Sequence, residues 1–155
     1  MSSDAGAGVS HIALAEIDST NAEGFRRAPA LSGPTWISAG LQTAGRGRRA
    51  RPWDSPLGNL YATLVLKPVE QPETVALRSF AAALALRDAC VALTGLPDSF
   101  ALKWPNDVLL NGGKLAGILL ESAGLGTASP VLCVGIGVNL IAAPDAASVE
   151  PGAVP

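Results

Sequence analysis

Hydrophobic and polar positions along this chain follow two rhythms. HIALAEID (11–18) is apolar-rich and closes on an acid, which predicts a strand ending at Asp18. STNAEGFRRA (19–28) follows with Thr20 and, three places on, Glu23, the spacing of a capping box at a helix start. Pro29, Gly33 and Pro34 break the chain, and TWISAG (35–40) resumes it as a short strand. NLYATLVLKP (59–68) predicts another strand, rich in branched and aromatic residues and closed by proline. Residues 74–94 carry the helical period: Leu77, Phe80, Leu84 and Val91 share one face, with Leu86 and Leu93 opposite. Such a helix is expected to be covered on more than one side, and Gly95 and Pro97 end it. FALKWP (100–105) reads as a strand, and DVLLNGGKLAGILLES (107–122) as a hairpin turning on Asn111-Gly112. VLCVGIGVNL (131–140) is the last predicted strand.

Strands outnumber helices and the βαβ repeat is too incomplete for a doubly wound sheet. The expected fold class is therefore α/β (α+β), a mixed sheet with flanking helices. At 155 residues the chain is of single-domain length. We expect a loose tail over 1–10, a folded unit over 11–141 and an Ala/Pro-rich loop over 142–155.

Composition changes this picture little but excludes several functions. With 48% apolar and 15% charged residues, the sequence is not that of a disordered chain. A net charge of −2 gives no general excess of cations to displace counterions, so DNA is not an expected partner. The N-terminus lacks a signal-peptide pattern, and no apolar run reaches the roughly 18 residues of a membrane span. Cys90 and Cys133 stand in apolar surroundings without a CxxC motif, reading as reduced core residues, and the expected location is cytoplasmic. His11, the sole histidine, reads as a surface residue.

Charge matters locally. Four of eleven Lys and Arg residues, Arg46, Arg48, Arg49 and Arg51, fall within AGRGRRARPW (44–53). Guanidinium forks beside a glycine-rich turn suit phosphate or carboxylate, through bidentate charge-assisted hydrogen bonds and converging backbone N–H groups. The segment lacks the GK[ST] ending of a P-loop and is no GxGxxG fingerprint. GIG (135–137) within a strand marks a close approach by a ligand or another backbone, or only a bulge. KWPND (103–107) sets polar groups around a proline bend, and Lys114 leaves the Asn-Gly-Gly turn with Gly117 close behind. Each has a plainer reading: a flexible Arg-Gly loop, solvated lysines, a helix cap at Asp18-Ser19-Thr20, and Trp53 and Trp104 as packing residues.

Order and spacing decide between these readings. DSTN (18–21), QTAGRGRRARPWDSPLGNLY (42–61), KWPND (103–107), KLAGILLE (114–121) and VGIGVN (134–139) together resemble the catalytic domain of biotin–protein ligases. The resemblance implies the mixed sheet shared by class II aminoacyl-tRNA synthetases and lipoate ligases. It implies that Ser19, Thr20, Asn21 and Gln42 surround the biotin ureido ring, and that Arg46, Gly47 and Arg48 bind biotin and the adenylate. Arg49 and Arg51 would flank the phosphate, Trp53 the adenine end, and Asn106 and Asn139 the nucleotide. Lys114 would contact the reacting carboxylate and phosphate, and Gly117, Gly135 and Gly137 would let backbone approach biotin. Lys114, Arg48 and Arg46 are the candidate catalytic residues.

The implied reaction joins biotin and ATP, with Mg²⁺ on the phosphates, into biotinyl-5′-AMP. The biotinyl group then passes to a lysine of a biotin carboxyl carrier protein. A lipoate or octanoyl ligase of the same superfamily and a non-catalytic biotin-binding remnant are the alternatives; a second copy of the chain, as a homodimer, is a candidate partner. Two departures stand out. Ala50 occupies a loop position that is commonly glycine in the family, one that demands positive φ. The catalytic domain is also expected to be incomplete at its C-terminal end, without the family's SH3-like module.

Overall fold

The computed structural model describes residues 8–144, so the predicted loop beyond 144 and the tail before 8 lie outside the described residues. Seven strands form one sheet: β1 (Ser10–Ile17), β2 (Thr35–Gln42), β3 (Leu60–Leu66), β4 (Phe100–Lys103), β5 (Asp107–Leu110), β6 (Gly113–Ala123) and β7 (Val131–Val138). Their order across the sheet is β1-β2-β3-β7-β6-β5-β4. Only β1 and β2 pair in parallel, because the helix α1 (Thr20–Arg27) supplies the crossover between them. All other neighbours are antiparallel.

Strand alternation gives the sheet two dissimilar faces. On one face Ala116 and Ile118 of β6 and Leu132, Val134 and Val138 of β7 are buried, joined by Val108 of β5. This core is covered by the short helix α2 (Pro72–Ala76), through Val75, and by α3 (Arg78–Thr94), through Ala83 with Ala82 and Leu86. On the other face Ile37, Val65 and Cys133 pack under α1 and Ala28, with Ile12, Leu14 and Phe25 at the margin. Helix α1 can lie this low because position 24 is glycine. A Cβ there would meet the Cys133 sulfur at 2.7 Å and a Val65 methyl at 3.1 Å.

Four expectations need correction. The cap of α1 is Ser19, whose side chain accepts from the Ala22 backbone N–H; Thr20 is already helical, and Glu23 turns to Arg26 and Arg27. The helix predicted over 74–94 is two helices divided at Leu77. Its expected inner face is also largely outside: Leu77, Phe80 and Leu84 are exposed, Leu84 by 49%, and Ala83 is the buried residue of α3. Trp104, expected to pack, is 79% exposed. The hairpin holds as expected, with Asn111 and Gly112 at φ 49 and 86, the left-handed pair of a tight turn.

Candidate active site

The face of the sheet that carries α1 turns polar beyond the first turn of that helix. Along β7 the residues pointing this way are Cys133, Gly135 and Gly137, and β6 presents Gly117, Leu119 and Glu121 opposite them. No bulge interrupts β7, which keeps regular register with both neighbours. Its glycines instead leave room for side chains. A Cβ at Gly135 would lie 2.5 Å from Asn21 Oδ1, and one at Gly137 would lie 2.7 Å from Trp53 Nε1. At Gly117 the same indole approaches to 3.2 Å. The glycine floor is therefore built for the chain's own Asn21 and Trp53.

The start of α1 is tied down from every side. Asp18 accepts from the Ser19 N–H and receives a fork from Arg26 at 2.6 and 2.9 Å. The Arg26 guanidinium and the Ser19 N–H hold the Asp18 carboxyl at a pKa of about 2, well below the usual carboxylate range. Glu23, bridged by Arg27 and Arg26, is lowered for the same reason. Thr20 donates its backbone N–H to Gln42 Oε1 at 2.8 Å, and Gln42 Nε2 donates to Ser55 Oγ at 3.1 Å. The fully buried Thr63 hydroxyl lies 2.8 Å from Thr20 Oγ1 and 2.6 Å from Asn21 Oδ1. Asn21 Nδ2 in turn donates to Glu121 Oε2 at 2.8 Å. The end of β2, the first turn of α1 and the centre of the sheet thus form one hydrogen-bonded unit.

Above this unit the arginine segment folds back on itself. Arg46 and Pro52 form an isolated antiparallel bridge, Gly47 N donates to Arg51 O at 2.7 Å, and Trp53 N donates to Gly45 O at 2.9 Å. Arg49 and Ala50 both sit at φ 58, so the residue that replaces glycine does occupy the left-handed region. Arg46 reaches Glu121 at 3.1 Å, and Arg48 donates to Asn106 Oδ1 at 3.4 Å. Asn106 and Asn139 are each fastened to β6: Asn106 exchanges hydrogen bonds with Ile118, and Asn139 donates to the carbonyls of Lys114 and Leu115. Lys114 Nζ stands 3.0 Å from Asp107 Oδ1, an electrostatic contact rather than a directed hydrogen bond, and 5.2 Å from the centre of a Trp53 ring. The ammonium so placed also lies over an aromatic face. Trp53 Nε1 is buried against Gly137 without a hydrogen-bond partner among the described residues.

Every residue that the sequence marks as a candidate lines one cavity of about 570 Å³: Ser19, Thr20, Asn21, Gln42, Arg46, Gly47, Arg48, Arg49, Arg51, Trp53, Asn106, Lys114, Gly117, Gly135, Gly137 and Asn139. Sequence reasoning gave no role to Asp107, Glu121 or Thr63. For Glu121 the signal was present, since Gly117, Leu119 and Glu121 alternate onto one face of a strand. Cys133 is the cross-strand neighbour of Glu121, and burial, with that carboxylate nearby, pushes its thiol up to about 12.

The mixed sheet, with α1 and the arginine loop on one face, is the class II synthetase-like fold shared with solved biotin protein ligases. The chain belongs to the biotin/lipoate A/B protein ligase family, whose model matches residues 13–139. It is 58% identical over 142 residues to the biotin–[acetyl-CoA-carboxylase] ligase of Paracoccus denitrificans, covering 92% of this chain and 59% of that protein. Identity to the enzyme of the same name from Mycobacterium tuberculosis is 38%, covering 90% of this chain and 52% of that one. Among solved structures, the biotin protein ligase of Leishmania major in complex with biotinyl-5-AMP superposes with a TM-score of 0.77 at 31% identity, covering 93% of this chain and 62% of that one. The Aquifex aeolicus enzyme in complex with biotin and ATP gives 0.68 at 35% identity, covering 88% and 55%. The chain thus spans a little over half the length of the relatives it matches.

Proposed function

We propose that this chain carries the biotin-activating site of a biotin–protein ligase. The observation that carries the reading is the convergence of Arg46, Arg48 and Lys114 on one cavity floored by Gly117 and Gly137. In the first step a carboxylate oxygen of biotin attacks the α-phosphorus of ATP. The bond from that phosphorus to the bridging oxygen breaks, releasing pyrophosphate and leaving biotinyl-5′-AMP. Two anions must meet and negative charge builds on phosphorus, so fixed cations lower the barrier most where that charge appears. Lys114 suits the point between carboxylate and phosphate, and Arg48 suits the phosphate oxygens. Mg²⁺ enters on the triphosphate as part of the nucleotide substrate. In the second step the amine of a carrier-protein lysine attacks the acyl carbon, AMP leaves, and the amine loses a proton. The enzyme supplies no nucleophile of its own.

Ser19, Thr20, Asn21 and Gln42 are assigned to the ureido ring, whose N–H and C=O groups match the hydroxyl and amide groups of that turn. Trp53, Asn106, Asn139, Arg49 and Arg51 are assigned to the nucleotide side. Glu121 and Asp107 hold the Arg46 and Lys114 side chains at the cavity before any substrate arrives. The acceptor proposed for the second step is a biotin carboxyl carrier protein, and the proposed location is the cytoplasm, in keeping with the free thiols at Cys90 and Cys133. Among the described residues, no helix is long and apolar enough to cross a membrane.

Pyrophosphate release by this chain with biotin and ATP tests the proposal directly. Release should depend on biotin and should not occur with lipoate in its place. A chain that binds no biotin by calorimetry, or releases pyrophosphate equally well with lipoate, would overturn it.

A further inference from the structure

Glu121 takes no part in the chemistry above, yet its carboxylate is shared by two residues assigned to the biotin pocket. Oε2 accepts from Asn21 Nδ2 at 2.8 Å, and the two oxygens face Arg46 Nη2 at 3.1 and 3.2 Å. Three elements meet there: the first turn of α1, the arginine loop and β6. A carboxylate can only accept, so the end of the Asn21 amide turned toward it must be the NH₂. Oδ1 is thereby turned to the buried Thr63 hydroxyl at 2.6 Å, and the amide stands in the one orientation that satisfies both ends. Gly135 makes this placement possible, since any Cβ there would collide with Oδ1.

The same carboxylate fixes the loop. Arg46 lies at the strand-like start of the arginine segment, where it bridges to Pro52, so anchoring its guanidinium on β6 anchors the segment's base. The side chains of Arg46 and Glu121 are 38% and 31% exposed, so water screens the pair and it adds little to the stability of the fold. Its effect is on where the loop stands.

We propose that Glu121 is a positioning residue for biotin capture: it sets the orientation of the Asn21 amide and, through Arg46, holds the arginine loop over the cavity. This rests on the assignment of Asn21 and Arg46 to the biotin pocket. Glu121→Gln is the sharpest variant, because it keeps the shape, discharges the latch and leaves only the Leu119 carbonyl, 3.4 Å from Asn21 Nδ2, to hold the orientation of the Asn21 amide. Glu121→Asp keeps the charge and the acceptor-only character at shorter reach.

The test combines three measurements on the full chain. In Glu121→Gln the KM for biotin in adenylate formation should rise about tenfold, the scale of one lost charge-assisted hydrogen bond, with kcat within about twofold of wild type. Glu121→Asp should fall between the two. Without any ligand, subtilisin should nick the 45–51 segment several-fold faster in Glu121→Gln, and the double variant Arg46→Ala/Glu121→Gln no faster than Arg46→Ala alone. Wild-type KM and nicking in a folded Glu121→Gln would overturn the proposal. So would additive nicking in the double variant, a fall in kcat at unchanged KM, or a loss of melting temperature that accounts for the change. Failure of the parent assignment shows separately, as a wild-type chain that takes up no biotin, and the ligand-free nicking still decides whether Glu121 holds the loop.

Discussion

Lys114 is placed by two constraints that act before any substrate arrives. The Asn111-Gly112 turn pairs Lys114 with Leu109, and the register shift that follows, between Val108 and Leu109, lets Lys114 face the cavity while Ala116, two residues on, faces the core. Asp107, on the opposite strand of the same hairpin, then draws the ammonium to 3.0 Å, over the Trp53 ring. An ammonium already fixed need not reorganise as charge develops on phosphorus, which is the condition under which one cation contributes most. Lys114→Ala should therefore slow single-turnover formation of biotinyl-AMP by about a hundredfold or more. Lys114→Arg should restore only part of the rate, because a planar fork cannot occupy the point position of an ammonium. Wild-type rates in the alanine variant would remove Lys114 from the mechanism.

At the scale of elements, the site depends on how closely α1 approaches the sheet, and Gly24 sets that distance. Gly24→Ala brings a methyl against Cys133 and Val65, so α1 must lift or the sheet must yield. The expected cost is about 1–3 kcal/mol of stability, the range for overpacked cores. Lifting the helix would also carry Thr20 and Asn21 away from Thr63 and Gln42, so biotin affinity should fall together with the denaturation midpoint. A variant that loses stability but binds biotin as wild type does would show that the first turn keeps its position independently of the rest of α1. Much of this element-level organisation is legible in the sequence. The strands, the Asn-Gly hairpin and the end of the helix at Gly95 follow from local chemistry, which is what a single sequence exposes, whereas the left-handed demand at Ala50 is implied by the family resemblance alone. The covered face of α3 is not legible, because RSFAAALALRDACVALT offers apolar residues on every side. In such a helix the contact goes mostly to the residues small enough for close approach, here Ala82 and Ala83 with Leu86 beside them, and Phe80, Leu84 and Leu93 are left outside. The partners of Glu121 are not legible either. Asn21 and Arg46 reach it only through the strand order that places β6 beside β7 under α1, a long-range fact that no spacing encodes.

The whole molecule divides its work between the two faces of one sheet. The face under α2 and α3 is a continuous apolar core, whereas the opposite face is apolar only beneath α1 and becomes polar where the cavity opens. Both faces share β6 and β7, so a ligand held on the polar face is bound to the same strands that form the core. Binding there should therefore stabilise the fold as a unit rather than order a loop alone. A ligand that binds only the native state at a hundred times its Kd adds about 2.7 kcal/mol. For a domain of this size that corresponds to a rise in Tm of roughly 5–10 °C. Biotin should give this shift with the isolated chain, and lipoic acid at the same concentration should not. The arginine loop supplies a second, local readout, because its protection from subtilisin should rise over the same range of biotin concentration. If the loop becomes protected while Tm stays unchanged at saturating biotin, the ligand is held by the loop alone and the shared strands transmit nothing. If Tm rises with lipoic acid as much as with biotin, the polar turn at Ser19–Asn21 does not select the ureido ring, and the assignment of those residues falls with it.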